Sequence, residues 1–152
     1  MQNRRQALQQ GAWLAGLLAA TGLFPQFALA DVNHRAFDAK NLADAYKGLG
    51  ITAPVESKSV VLQAPDIAEN GAVVPVGIST TLPNVKQVLL LVEKNPTTVV
   101  ATFQMTDSVE PNITTRTKMG QTSDIYAIVQ TQDGKVYYAK KEVKVTLGGC
   151  GG

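Results

Sequence analysis

The last five residues of the 152-residue chain, Gly148-Gly149-Cys150-Gly151-Gly152, set its one cysteine between two pairs of glycines. A thiolate is a good nucleophile and holds a group covalently, while glycine gives the backbone around it wide freedom and no side-chain bulk. The spacing predicts a thin, flexible arm that enters a narrow tunnel where a bulkier chain would clash, with a reach of at most about 17 Å when extended. An ordinary thiol titrates near pH ~8.5, so little of it is thiolate at neutral pH. Lys144 is the nearest cation in sequence, and the terminal carboxylate two residues beyond Cys150 opposes ionisation. With no second reactive group beside it, Cys150 reads as a covalent attachment point activated by partner enzymes, and no catalytic residue is expected in this chain.

Other chemistries find little material. His34 is the sole histidine and reads as a solvated residue at a helix start. One thiol with the remote Met105 and Met119 falls short of a copper or zinc set, so no metal and no cofactor is expected beyond adducts on Cys150. Neither a Ser-His-Asp arrangement nor a phosphate loop is present, and Asp107 and Glu110 near a turn read as solvated charges.

The beginning of the chain has the layout of an export signal. Arg4 and Arg5 make a charged start, an uncharged stretch runs from Gln6 to Ala30, and Ala28-Leu29-Ala30 places small residues at both positions that signal peptidase reads. Cleavage is expected before Asp31, in preference to a retained membrane anchor, and an unpaired cysteine in an exported protein marks either a reactive thiol or an intermolecular linkage. The adjacent arginines point to the twin-arginine route, with Leu8 in keeping and Asn3 and Ala7 departing from its usual pattern. All 12 acidic residues lie at or beyond Asp31, and removing Arg4 and Arg5 from the 14 basic ones leaves 12, so the mature chain is neutral apart from His34. That balance gives no field for nucleic acid or for a membrane surface. Lys140, Lys141 and Lys144 form the one basic cluster and read as a solvated strand face.

The elements that must hold the arm are mostly strands. Leu42, Ala45, Tyr46 and Leu49 make one apolar stripe on a short helix over residues 33–49, capped by Asp31 or Asn33 and ended by Gly48 and Gly50. Beyond Ile51, seven runs rich in Val, Leu and Thr predict strands over 59–63, 72–80, 86–93, 98–106, 113–118, 124–131 and 135–147. Asn70-Gly71, Leu82-Pro83-Asn84, Asn95-Pro96, Pro111-Asn112 and Asp133-Gly134 separate them, and both residues of Asp133-Gly134 tolerate the positive φ of a tight hairpin. Seven short strands at this spacing predict an immunoglobulin-like antiparallel β-sandwich with an N-terminal helix. In the last strand Val143, Val145 and Leu147 are expected inward, Lys144 and Thr146 outward. Val88–Val92 and Ile125–Val129 are apolar on both faces, which leads to the expectation that the helix covers one patch and a partner protein another. The domain reading is a cleaved signal over 1–30, a sandwich with its helix over 31–147 and a carrier arm over 148–152.

These residues resemble the SoxY family, the sulfur carriers of bacterial thiosulfate oxidation. The resemblance spans the precursor nearly end to end. It rests on Gly148 to Gly152, on Lys141-Glu142-Val143-Lys144-Val145-Thr146 before it, and on the stretch Pro65-Asp66-Ile67-Ala68-Glu69-Asn70-Gly71-Ala72-Val73-Val74-Pro75-Val76. It implies an immunoglobulin-like sandwich in a heterodimer with a SoxZ-like subunit, exported as a folded pair. It further implies that a SoxAX-type haem enzyme joins thiosulfate to Cys150, that a SoxB-type hydrolase releases sulfate to leave a persulfide, and that a SoxCD-type dehydrogenase, where present, oxidises the outer sulfur. The function so implied is a periplasmic, non-enzymatic sulfur carrier holding thiosulfonate, persulfide and oxidised forms on Cys150. The alternative is an exported structural protein that forms an intermolecular disulfide through Cys150. A ubiquitin-like carrier using a terminal thiocarboxylate is disfavoured by the export signal and the strand-rich chain. A prenylated tail is excluded because Cys150 is third from the end, not fourth.

Overall fold

The computed structural model describes residues 34–147. Two helices, α1 (His34–Phe37) and α2 (Leu42–Leu49), precede nine strands. The strands are β1 (Val55–Glu56), β2 (Val60–Gln63), β3 (Ile67–Ala68), β4 (Val74–Thr80), β5 (Val85–Val92), β6 (Val99–Gln104), β7 (Asn112–Thr117), β8 (Ser123–Thr131) and β9 (Val136–Val145). One sheet runs β1-β9-β8-β5-β6 with β3 also joined to β9, and the other runs β2-β4-β7. The seven expected strands are all present, with ends shifted by no more than two residues. The two-residue strands β1 and β3 were not expected; each is defined by parallel pairing to β9 and not by a local apolar pattern.

The expected single helix is two. Asn41 accepts a 2.9 Å hydrogen bond from the Asp44 N–H and starts α2 afresh, while the Ala39 carbonyl accepts from the Thr98 N–H at 2.9 Å instead of continuing a helical ladder. Asn41 is thus the N-cap of α2, and Gly48 lies inside that helix rather than ending it. Gly50, at φ 65°, ends it: its N–H bonds the Lys47 carbonyl and that of Ile51 bonds Tyr46.

The core has two layers because β5 and β8 are apolar on both faces. Val88, Leu90 and Val92 join Ile125, Ala127 and Val129 against Val60, Val74, Val76 and Ile78 of the second sheet, with Met119 among them. On the opposite face, Leu89, Leu91, Tyr126 and Ile128 pack with Ala39 and Ala45, and with Phe37, Leu42, Tyr46 and Leu49 around them. The helix layer covers one face of β5 and β8, as expected, since a stripe of four apolar side chains on α2 meets one on those strands, and the second sheet covers the other face, where a partner was expected.

The β8–β9 hairpin also differs in detail. Gly134 takes the positive φ, 84°, and Asp133 does not. The Gly134 N–H bonds the Thr131 carbonyl at 3.0 Å and the Thr131 N–H bonds the Lys135 carbonyl at 3.0 Å, enclosing a three-residue loop, Gln132 to Gly134.

Candidate carrier site at the end of the last strand

Cys150, Gly148, Gly149, Gly151 and Gly152 lie outside the described residues, as do Arg4, Arg5, Ala28 and Ala30. What the structure provides is the root from which the tail departs. β9 carries it: Val143 is buried in the sandwich core and Val145 packs against that core. Leu147, expected inward, lies beyond the end of the strand at Val145 and is 69% exposed.

The segment from Ala64 to Gly71 runs alongside this end of β9 as a strap. The Lys144 N–H donates to the Asp66 carbonyl at 3.0 Å and the Thr146 N–H to the Ala68 carbonyl at 3.1 Å. Farther on, the Gly71 N–H donates at 2.8 Å to the carbonyl of Leu147, the last described residue before the tail, and the Gly71 carbonyl accepts from Met119 at 2.7 Å. Side chains reinforce the strap. The Lys141 ammonium donates to the Ala64 carbonyl at 2.6 Å and pairs with Asp66 at 2.9 Å, and the Thr146 hydroxyl donates to the Glu69 carbonyl at 3.2 Å. The Asn70 side chain closes the turn by accepting from Ala72 N–H at 2.8 Å. On the other side, the Thr122 hydroxyl accepts from Val145 N–H at 3.0 Å. Hydrogen bonding to the Lys141 ammonium, and then its charge, hold the Asp66 carboxyl below its ordinary pKa.

The basic cluster is therefore not one face. Lys141 ties the strap, whereas its neighbour Lys140 pairs with Asp124 at 3.1 Å and stands 5.9 Å from the centre of the Tyr126 ring. The bond to Asp124, followed by Tyr126, raises the Lys140 pKa. Lys144 points outward and is exposed. Sequence reasoning missed the strap's anchoring role; the signal available was the Pro65–Gly71 stretch itself, polar and too short in apolar run to read as a strand. Asp107 and Glu110 are exposed on the loop after β6, as expected. His34 opens α1, Met105 packs at the core's edge and Met119 is fully buried. Among the described residues no three His, Cys, Asp or Glu side chains form a metal set.

A two-sheet sandwich whose last strand is strapped in place out to Leu147 defines a protein of the immunoglobulin-like β-sandwich class. The family model described as sulfur oxidation protein SoxY matches residues 46–150, and the chain belongs to that family. The structure is similar to that of the sulfur carrier protein SoxY from Chlorobium limicola f thiosulfatophilum, at 36% identity and a TM-score of 0.64, covering 72% of this chain and 96% of that one. It is also similar in fold to the superoxide reductase (neelaredoxin) of Ignicoccus hospitalis, at 21% identity and a TM-score of 0.51, covering 57% of this chain and 80% of that one. A single-residue variant of the same reductase matches at 20% identity and a TM-score of 0.51, over 65% and 86% of the two chains. No curated protein sequence matches the chain.

Proposed function

We propose that the protein carries sulfur covalently on Cys150 during thiosulfate oxidation and presents it to partner enzymes. One observation carries the reading: the match to the SoxY family runs through residue 150, the chain's only cysteine. A thiol is the one group in the tail able to bond sulfur, and the strap supports the reading by fixing where the tail begins.

In the loading step the Cys150 thiol loses its proton and the terminal sulfur of thiosulfate bonds to Sγ; the electron pair released passes to a SoxAX-type haem enzyme, leaving a thiosulfonate on the carrier. A SoxB-type hydrolase then adds water to the outer sulfonate group, which leaves as sulfate and protons while the sulfur–sulfur bond to Cys150 remains as a persulfide. A SoxCD-type enzyme, where one exists, removes electrons from the outer sulfur while water supplies its oxygens and releases protons, and a second hydrolysis frees the thiol and releases that sulfur as sulfate. The chain itself supplies no electron acceptor in this scheme and acts as carrier and substrate.

The reading places the mature protein in the periplasm, beginning at Asp31 after loss of residues 1–30, and beside a SoxZ-like subunit. The direct test is Cys150→Ser. Fold and subunit association are expected to persist, while thiosulfate turnover in a reconstituted system falls to background. Turnover above background overturns the carrier role. Intact mass of protein from thiosulfate-grown cells is expected to show an Asp31 start and a reductant-labile sulfur adduct. Finding only a disulfide dimer there favours the structural alternative.

A further inference from the structure

Residues 70 and 71 are the one Asn-Gly pair in the chain. An asparagine side-chain amide is open to attack by the backbone nitrogen of the residue that follows it, and glycine, with no Cβ, hinders that attack least. Among the described residues the other asparagines are poorer cases. Asn84 and Asn112 precede the β-branched Val85 and Ile113, Asn41 precedes Leu42, and Asn95 precedes Pro96, which has no N–H to give up. Asn70 is exposed at the end of the strap, so water reaches its side chain.

The strap restrains the same chemistry. Attack requires the Gly71 nitrogen to lose its proton and swing toward Asn70 Cγ. In the fold that N–H donates at 2.8 Å to the Leu147 carbonyl, and the Gly71 carbonyl accepts from the Met119 N–H at 2.7 Å, so both peptide groups of the glycine are held. Asn70 Oδ1 accepts from the Ala72 N–H at 2.8 Å, and the Asn70 carbonyl accepts from the Val73 N–H at 3.4 Å. Gly71 is buried although Asn70 is not, which shields its nitrogen from bases in solution. The nitrogen becomes reactive only in a local opening of these bonds, and the ties made by Lys141 and Thr146 set how often the strap opens.

We propose that Asn70 is a site of spontaneous conversion to isoaspartate, gated by the strap. The Gly71 nitrogen bonds to Asn70 Cγ, the Cγ–Nδ2 bond breaks, and ammonia leaves with the Gly71 proton, closing a cyclic imide. Water then opens the imide. Attack at the main-chain carbonyl leaves Gly71 joined through Cγ, which is isoaspartate, and attack at Cγ gives aspartate. No oxidant or reductant enters. Either product adds a negative charge beside Glu69, and isoaspartate also lengthens the main chain by a methylene, which takes the Gly71 N–H out of register with Leu147. The end of β9 then keeps its strap bonds at Lys144 and Thr146 and loses the one at Leu147.

The test keeps the full chain in mildly alkaline buffer, folded or in urea, and follows Asn70 by peptide mass, with isoaspartate counted by an isoaspartyl methyltransferase. Conversion is expected to be at least about tenfold faster in urea than in the folded protein. The double variant Lys141→Met, Thr146→Val is expected to fall between them, with exchange of the Gly71 amide hydrogen raised by a similar factor. Equal rates in the folded protein and in urea overturn the gate, and an Asn70 that stays an amide in urea overturns the site. Faster Gly71 exchange in the double variant with unchanged conversion also overturns the gate. Where that variant fails to fold or leaves Gly71 exchange as it was, the parent in urea below its transition is read instead: conversion rising with Gly71 exchange supports the gate, and conversion staying flat overturns it. Purified isoaspartyl protein is expected to exchange the Gly71 amide faster than the parent, and equal exchange overturns the loss of the bond to Leu147.

Discussion

The Asp133 carboxylate accepts a hydrogen bond from the Thr131 hydroxyl and lies 2.9 Å from the Lys135 ammonium, across the loop that turns β8 into β9. These two bonds, Thr131 first, lower its pKa from the ordinary 3.8 to about 2. A depressed carboxyl pKa means that the folded state prefers the ionised form. The resulting stabilisation is fully present above pH 3.8 and is lost as the pH falls through about 2. Asp133→Asn is therefore expected to lower the denaturation midpoint at pH 7, with the gap to the parent closing between about pH 4 and pH 2. A gap that stays constant over that range would show that the charge contributes nothing to the turn. The same physics acts at Asp66, whose pKa is lowered by Lys141, but there the pair ties the strap to the strand that bears the tail. Both carboxylates are exposed, so each sets local geometry more than global stability.

Among the elements, the helix layer shows how much of the fold the sequence discloses. The stripe Leu42, Ala45, Tyr46 and Leu49 identifies an apolar helical face, and the two-sided apolar runs in β5 and β8 identify a sheet that needs a second cover. Periodicity tells which face is apolar and not what it docks against, so the pairing of these two surfaces emerges only in three dimensions. The break at Asn41 was legible in residue type, since Asn is a strong N-cap and the apolar stripe begins only at Leu42. β1 and β3 were not legible because their pairing is dictated by the edge of β9. The candidate thiol stood out in sequence by its isolation among glycines; the strap that fixes its root depends on bonds between segments 77 residues apart and leaves no local mark. Gly48 tests the helix layer. A Cβ there would lie 2.7 Å from the Ala36 Cα and 2.8 Å from its nitrogen, both backbone atoms of a buried residue. Alanine improves helix propensity by about 1 kcal/mol, while overpacking costs about 1–3 kcal/mol. Because α1 is tied through Ala39 to Thr98, steric cost is expected to win, and Gly48→Ala should lower the urea midpoint. A raised midpoint would mean that α1 shifts freely.

At the scale of the whole molecule, the residues that stabilise the fold and the proposed attachment site lie in different parts of the chain. A single cysteine permits no intrachain disulfide, so the sandwich depends on burial, and both faces of its main sheet are covered from within. The strap holds the other end by bonding the backbone of β9 out to Leu147. The proposed attachment site, Cys150, comes three residues beyond that last bonded position in the sequence. In the proposed reading this separation suits a carrier whose cargo changes charge and oxidation state at each step while every enzyme recognises the same body. It is expected to appear as a melting temperature that moves by less than about 2 °C between reduced protein, protein treated with an oxidant and Cys150→Ser, measured at a concentration where no dimer forms. A shift of many degrees on oxidation would show that the state of the thiol is read by the fold, and the tail would then be a coupled element instead of an appendage.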